Sequence, residues 1–282
     1  MSDTTYITVE DSGSHYTLVH NNYRLIANES YIPFDWNPLD LPAKTIRFQF
    51  PSGFDPTTYW SNTEAYHHTG TWTQVSSDPN VWDFYRNSSD WSHTFDYPYT
   101  TSQLFNGKML GGNLEGVTNV QYMFNNFAGD CEGAYLYMPD VTDLYSTFAS
   151  GNGTTWGTTW TAPYIYAPNA TSTYFMFNNA RTLGNCPVFD ISNVTNCEGM
   201  FAQCDSLTHV PLFDMRSCTN AYQMFSNTYN VQSGSYAMYE YASTKAIPIT
   251  NHSNMFTNCG LSTVTGAAEL NRIPSDWGGN QY

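Results

Sequence analysis

A methionine-phenylalanine pair returns along the second half of the chain: Met123-Phe124, Met176-Phe177, Met200-Phe201, Met224-Phe225 and Met255-Phe256, with a degenerate copy at Thr147-Phe148. Phe124 and Phe148, Phe177 and Phe201, and Phe201 and Phe225 each stand 24 positions apart. The two remaining intervals are longer and carry insertions, a Gly/Thr/Trp stretch over 151–160 and a Tyr/Ser/Gln-rich stretch over 228–241. A fixed period of this length marks units that cannot bury an apolar side alone and do so by stacking on their neighbours. No other feature of the chain restricts its fold as much.

Two units align in full. One runs through Leu183, Cys186, Val188, Phe189 and Asp190 to Val194 and Asn196, and the next through Leu207, Val210, Leu212, Phe213 and Asp214 to Cys218 and Asn220. Both open as L-x-x-[VC]-x-[LV], the spacing of a leucine-rich-repeat core strand. The reading is a short strand, a turn at the Asp, and a short helix or helical turn leading into Met-Phe. The expected class is therefore α/β: a leucine-rich-repeat-like solenoid of about six coils of about 24 residues, preceded by a small β-rich N-terminal region. The Val194 column is apolar throughout, with Val117, Val141, Ala170, Cys218 and Ile249 as counterparts. Cys186 aligns with Val210, and Cys204 and Cys259 both stand fourth after Met. The six cysteines (the others are Cys131 and Cys197) are expected to act as small buried hydrophobes, with disulfides or metal as the alternative.

Upstream, Ile7 to Val9, Tyr16 to Val19 and Tyr23 to Ile26 are β-prone runs separated by Asp11-Ser12-Gly13 and Asn21-Asn22 turn signals. Ile46, Phe48 and Phe50 alternate with Arg47 and Gln49, as in a half-buried strand. Ser88 or Ser89 is placed to cap a short helix carrying Trp91 and Phe95. These signals divide the chain into a β-rich anchoring module (1–43), a cap (44–103), the repeats (104–260) and a C-terminal cap or tail (261–282). For 1–43, anchoring and simple capping remain equal alternatives.

Composition narrows function. Net charge is −15, and no Lys or Arg lies between Lys108 and Arg181. Phosphate neutralisation needs a basic stripe, so nucleic acid and anionic membranes are not expected partners. No run of eighteen apolar residues occurs, and no membrane insertion is expected. Charged residues make up 12% of the chain against 17% aromatic ones, which suits an outside protein more than a cytosolic enzyme. The N-terminal residues lack the basic and apolar regions of a signal peptide.

Nucleophile-elbow, zincin, phosphate-loop and EF-hand motifs are missing, and no enzyme activity or cofactor is expected. His67 and His68, near Glu64, read as a surface loop more than a metal site. Asp190 and Asp214 repeat one unit apart, which fits turn capping better than a catalytic carboxylate pair. The binding candidates are the aromatic residues in or beside the insertions: Trp156, Trp160, Tyr164, Tyr166, Tyr236, Tyr239 and Tyr241. Tyr and Trp dominate recognition surfaces; the alternative is that these rings pin the insertions onto their own protein. Phe189 and Phe213 are equivocal.

The string from Met200-Phe201 through Cys204, Leu207, Val210 and Pro211 to Phe213-Asp214, like Phe189-Asp190 to Asn196, resembles the BspA-like leucine-rich-repeat family of bacterial surface proteins and tailed-phage genomes. The segments around 45–50, 74–82 and 87–91 are similar to those preceding such repeats in crAss-like phages of gut bacteria. The resemblance implies a non-enzymatic structural or adhesion protein of a tailed-phage virion, a fibre or decoration subunit, presenting its repeats to a host-surface or mucosal glycan or protein. Other virion proteins would be held through the N-terminal region, in a homo-oligomer with a trimer favoured. A bacterial cell-surface adhesin of the same family is the alternative, and a carbohydrate-active enzyme the third reading.

Overall fold

The computed structural model describes residues 39–60, 70–96, 107–127, 129–149, 160–186 and 189–280, with the backbone of three strands upstream. Those three, β1 (Tyr6–Glu10), β2 (His15–His20) and β3 (Tyr23–Ile26), pair antiparallel in the order β1-β2-β3.

The main sheet is mixed. It comprises β4 (Thr45–Gln49), β5 (Thr71–Gln74), β6 (Val81–Tyr85), β7 (Lys108–Asn113), β8 (Tyr135–Tyr137) and β10 (Tyr164–Tyr166), in the order β10-β8-β7-β4-β6-β5. The β7, β8 and β10 strands are parallel; β4, β6 and β5 join antiparallel. A separate parallel pair joins β9 (Trp160–Thr161) to β11 (Leu183–Asn185). The helices among the described residues are α1 (Pro56–Trp60), α2 (Ser235–Thr244) and α3 (Val264–Leu270), with one 3-10 turn at Ser275–Trp277.

This corrects the expected leucine-rich-repeat solenoid and the fibre shape attached to it: the described chain is a mixed α/β fold with no curved horseshoe. The cause lies in the segment before each Met-Phe pair, where a helix was expected. His93, Tyr122, Ser146, Phe175, Gly199, Gln223 and Asn254 stand at one repeat position, and all have φ between 49° and 60°. Asn126, Asn179, Gln203, Asn227 and Asn258 occupy a second such position, with φ between 59° and 64°. Two left-handed residues within five cannot belong to a right-handed helix, so each unit closes as a compact double turn. Strand character is equally brief: β11 has three residues, and the following unit keeps a lone bridge at His209. The expected helix at Trp91 and Phe95 is also a turn, with Ser88 Oγ accepting from the Asp90 N–H at 3.0 Å. The 228–241 insertion contains the first part of α2, from Ser235 onward.

The period is expressed in side chains. Phe95, Phe124, Phe148, Phe177, Phe201, Phe225 and Phe256 stack face to face, with successive centroids 5.2, 5.1, 5.5, 5.3, 5.4 and 5.8 Å apart and interplanar angles of 12° or less. Beside them, isolated parallel bridges link Asp143 to Ser172, Ser172 to Asn196, Asn196 to Asn220 and Asn220 to Asn251. In this column Asp143, Asn196 and Asn220 each accept, through Oδ1, the backbone N–H two residues on. These bonds satisfy donors that no sheet ladder reaches. Val117, Val141, Ala170, Val194, Cys218 and Ile249 are all buried, as are Phe189 and Phe213. The alternation in β4 holds too, with Ile46, Phe48 and Phe50 in the core.

The C-terminal helices close the far end. Gly234 precedes α2 and gives its N-terminus no side-chain cap. Glu269 of α3 supplies one instead, accepting from Ser235 Oγ at 2.9 Å and the Tyr236 N–H at 3.1 Å. A carboxylate there satisfies free donors and complements the helix dipole. Glu269→Ala is therefore expected to cost about 1–2 kcal/mol, readable as a lowered urea midpoint with an unchanged slope.

Candidate functional site

Strand alternation sorts the tyrosines of the first insertion. Leu136 and Ile165 point into the core, so Tyr135, Tyr137, Tyr164 and Tyr166 share the opposite face of the main sheet. Tyr164 and Tyr166 are half-buried, and Tyr166 stacks on Tyr137 with centroids 5.4 Å apart at 12°. Burial, and then the neighbouring Tyr166, raise the Tyr137 hydroxyl above its ordinary range. Tyr135 lies flat over Gly111, where a Cβ would come within 2.5 Å of its ring. Leu39 N–H donates to its hydroxyl at 3.1 Å, and Asn113 Nδ2 donates to the Leu41 carbonyl at 2.9 Å. The 39–41 stretch thus covers the middle of the face and leaves Tyr137, Tyr164 and Tyr166 beside it. Further along, Arg47 meets Asp83 in a two-pronged pair at 2.6 and 2.8 Å, and Tyr85 is 41% exposed. The Asp83 hydrogen bond raises the Arg47 pKa. The face is therefore aromatic toward β10 and ionic toward β6.

Of the other insertion residues in this group, Trp156 lies outside the described residues, and Trp160 is described only as backbone in β9. His67, His68 and Glu64 also lie outside them.

The second insertion behaves differently. The Tyr236 ring carries the Arg272 guanidinium 3.5 Å from its centroid and meets Tyr239 at 5.8 Å. Tyr239 stands edge-on to Trp277 at 5.4 Å, and Trp277 stacks on His252 at 4.0 Å. Tyr241 is 4% exposed, and its hydroxyl donates to Asp214 Oδ1 at 2.9 Å. These three tyrosines pin α2 onto the end of the repeats. Tyr241 has no face left for a ligand.

Sequence reasoning passed over another aromatic row. His93 stacks on Tyr122 at 4.6 Å, Tyr122 meets Tyr145 at 4.8 Å, Tyr145 stacks on Tyr174 at 5.1 Å, and Tyr174 on Phe175 at 4.2 Å. Tyr122 donates a hydrogen bond to the Tyr145 hydroxyl. Burial, then that bond, push the Tyr122 pKa up to about 12. The legible signal was an aromatic residue two or three positions before the Phe column in successive units. Because most of these rings face one another, the row offers edges and hydroxyls more than open ring faces.

Asp190 and Asp214 each accept the backbone N–H two residues on, at 2.8 and 3.1 Å, which is the turn-capping role. The six cysteines are all free and buried. Among the described residues no group of three or more His, Cys, Asp or Glu is placed to hold a metal ion. No helix there is long and apolar enough to cross a membrane.

Comparison with known proteins adds one similarity. A family model described as a Mycoplasma protein of unknown function, DUF285, matches residues 167–263 of the 282-residue chain. No curated protein and no solved structure matches it.

Proposed function

We propose that the chain is a non-enzymatic adhesion protein that displays the tyrosine-lined sheet face to a host-surface or mucosal glycan or protein. The observation that carries this is the grouping of Tyr137, Tyr164 and Tyr166 at one partly open end of a face whose other end carries the Arg47–Asp83 pair. Tyrosine there combines apolar area with a hydroxyl at low entropic cost. The net charge of −15 favours neutral or basic ligands over anionic polymers. The setting proposed is the surface of a tailed-phage particle, as a decoration subunit attached through its N-terminal region in a homo-oligomer. Exposure on a bacterial cell, as an adhesin with BspA-like sequence features, is the second reading, and the DUF285 similarity to a bacterial protein favours it.

The test joins binding to location. Labelled protein is applied to a glycan array and to candidate host cells, beside a Tyr137→Ser, Tyr164→Ser, Tyr166→Ser variant shown by circular dichroism to be folded. Saturable binding that falls at least tenfold in the variant is the expected result. Equal binding by both proteins, or none by either, removes the proposal. Mass spectrometry of purified particles and of surface-shaved cells decides between the two settings.

A further inference from the structure

Cys197 and Cys218 stand in adjacent units and converge on one backbone carbonyl. The Cys197 N–H donates to Asn220 O at 2.7 Å, and Cys218 Sγ donates to the same oxygen at 3.3 Å. Each of the two thiols is the largest influence on the other's titration, as neighbouring groups are. Both side chains are fully buried. Lys245, just beyond α2, lies over them and donates to the Cys218 carbonyl at 2.6 Å and also to the Ile247 carbonyl. Packing asks for a small apolar side chain at both positions but not for sulfur. The residue matching Cys197 in the next unit is Ala221, and the one matching Cys218 in the preceding unit is Val194. The fold accepts non-thiol side chains in both columns.

We infer that Cys197 and Cys218 form a redox-convertible dithiol, a modification site that closes to an intramolecular disulfide on reaction with a small-molecule disulfide. Cys218 is the attacking sulfur, because the Lys245 ammonium sits at its own carbonyl. Contact with Cys197, and the Lys245 ammonium, hold the Cys218 thiol below its ordinary range against the opposing effect of burial, while contact with Cys218, then burial, push Cys197 up. A thiolate is the nucleophile in exchange. In the first step Cys218 loses its proton and attacks one sulfur of the reagent, forming a mixed disulfide and releasing one thiol. In the second, Cys197 loses its proton and attacks the Cys218 sulfur, expelling the other half of the reagent as a second thiol. Two protein thiols are oxidised and one small disulfide is reduced to two thiols. Because both sulfurs are buried, the reagent enters when the segment around Lys245 opens locally, so closure is slow. The crosslink ties adjacent units and covalently secures the stack beneath α2.

The test treats the folded full-length chain with oxidised glutathione and maps it by non-reducing digestion and mass spectrometry. The expected product is a Cys197–Cys218 linked peptide lacking two hydrogens, reversed by dithiothreitol, with the thermal midpoint raised by several degrees. Cys131 and Cys259, also buried and with no cysteine acting on either, serve as internal controls and are expected to remain thiols. Cys197→Ala is expected to accumulate glutathione on Cys218, and Cys218→Val to leave Cys197 unmodified. Both replacements copy side chains already present in their columns, and circular dichroism confirms that the variants fold. Six free thiols after prolonged treatment of folded protein would overturn the assignment. So would preferential modification of Cys131 or Cys259, or glutathione on Cys197 in the Cys218→Val variant.

Discussion

Phe201→Ala is expected to destabilise the protein by about 3–5 kcal/mol, the range for truncating a large buried aromatic. Phe201 is fully buried and is the fifth of the seven rings in the ladder. It has Phe177 on one face at 5.3 Å, Phe225 on the other at 5.4 Å and Phe213 at 5.8 Å. Removing the ring opens a cavity that its neighbours cannot fill, because each is held by a further ring beyond it. Two stacking contacts, each worth about 0.5–1.5 kcal/mol beyond area burial, disappear together. Phe201→Leu keeps much of the volume and loses only the stacking, so it is expected to cost clearly less. Chemical unfolding of the two variants side by side checks this. If alanine cost no more than leucine, the ladder would not be the stabilising core described above.

The next largest effect is expected at Asp214→Ala, about 2–3 kcal/mol. Asp214 is 6% exposed and joins three groups. It accepts from the Arg216 backbone N–H at 3.1 Å, from Arg216 Nε at 2.7 Å, and from the Tyr241 hydroxyl at 2.9 Å. The Arg216 guanidinium is half exposed and can turn to water. The buried Tyr241 hydroxyl cannot, so losing the acceptor for its own proton costs about 1–3 kcal/mol. Tyr241→Phe removes the donor and leaves Asp214 still bonded, at an expected cost of about 1 kcal/mol. The double variant is expected to fall short of the sum of the two, since the residues share one interaction. Exact additivity in urea unfolding would show that Tyr241 docks α2 by packing alone. Faster proteolysis within 228–248 in the Asp214 variant is the structural counterpart, as Tyr241 anchors that insertion.

The columns of the repeat were legible residue by residue. Phe201 and Phe225, and Val194 and Cys218, recur because each packs against the neighbouring unit, and Asp190 and Asp214 recur because each unit has the same turn to cap. The turn role of the two aspartates followed from their own backbone, a local matter. Fold class was not legible. The pattern L-x-x-[VC]-x-[LV] is shared by any short buried extended run, and it said nothing about the left-handed pair flanking each Met-Phe. Nothing at Tyr122 or Gln223 announces a positive φ, because neither is a residue that prefers one. They adopt it where a compact turn lets the adjacent phenylalanine reach the ladder.

The candidate site divides in the same way. That tyrosines cluster beside the insertions was readable from the sequence. That Tyr164 and Tyr166 share a face with Tyr137, whereas Tyr241 is buried against Asp214, depended on strand register and on where α2 docks.

From the sequence alone came the period, the identity of the side chains that stack, and the acidic, aromatic-rich composition of the chain. These depend on residue type and spacing, which a linear chain displays directly. Only the tertiary structure decided that β4, drawn from before the repeats, pairs antiparallel with β7 and makes the main sheet mixed. It also decided that Cys197 meets Cys218 and that Glu269 caps a helix far from it in the chain. Such contacts arise when distant segments find complementary surfaces, and their energies belong to pairs of residues that no local pattern names.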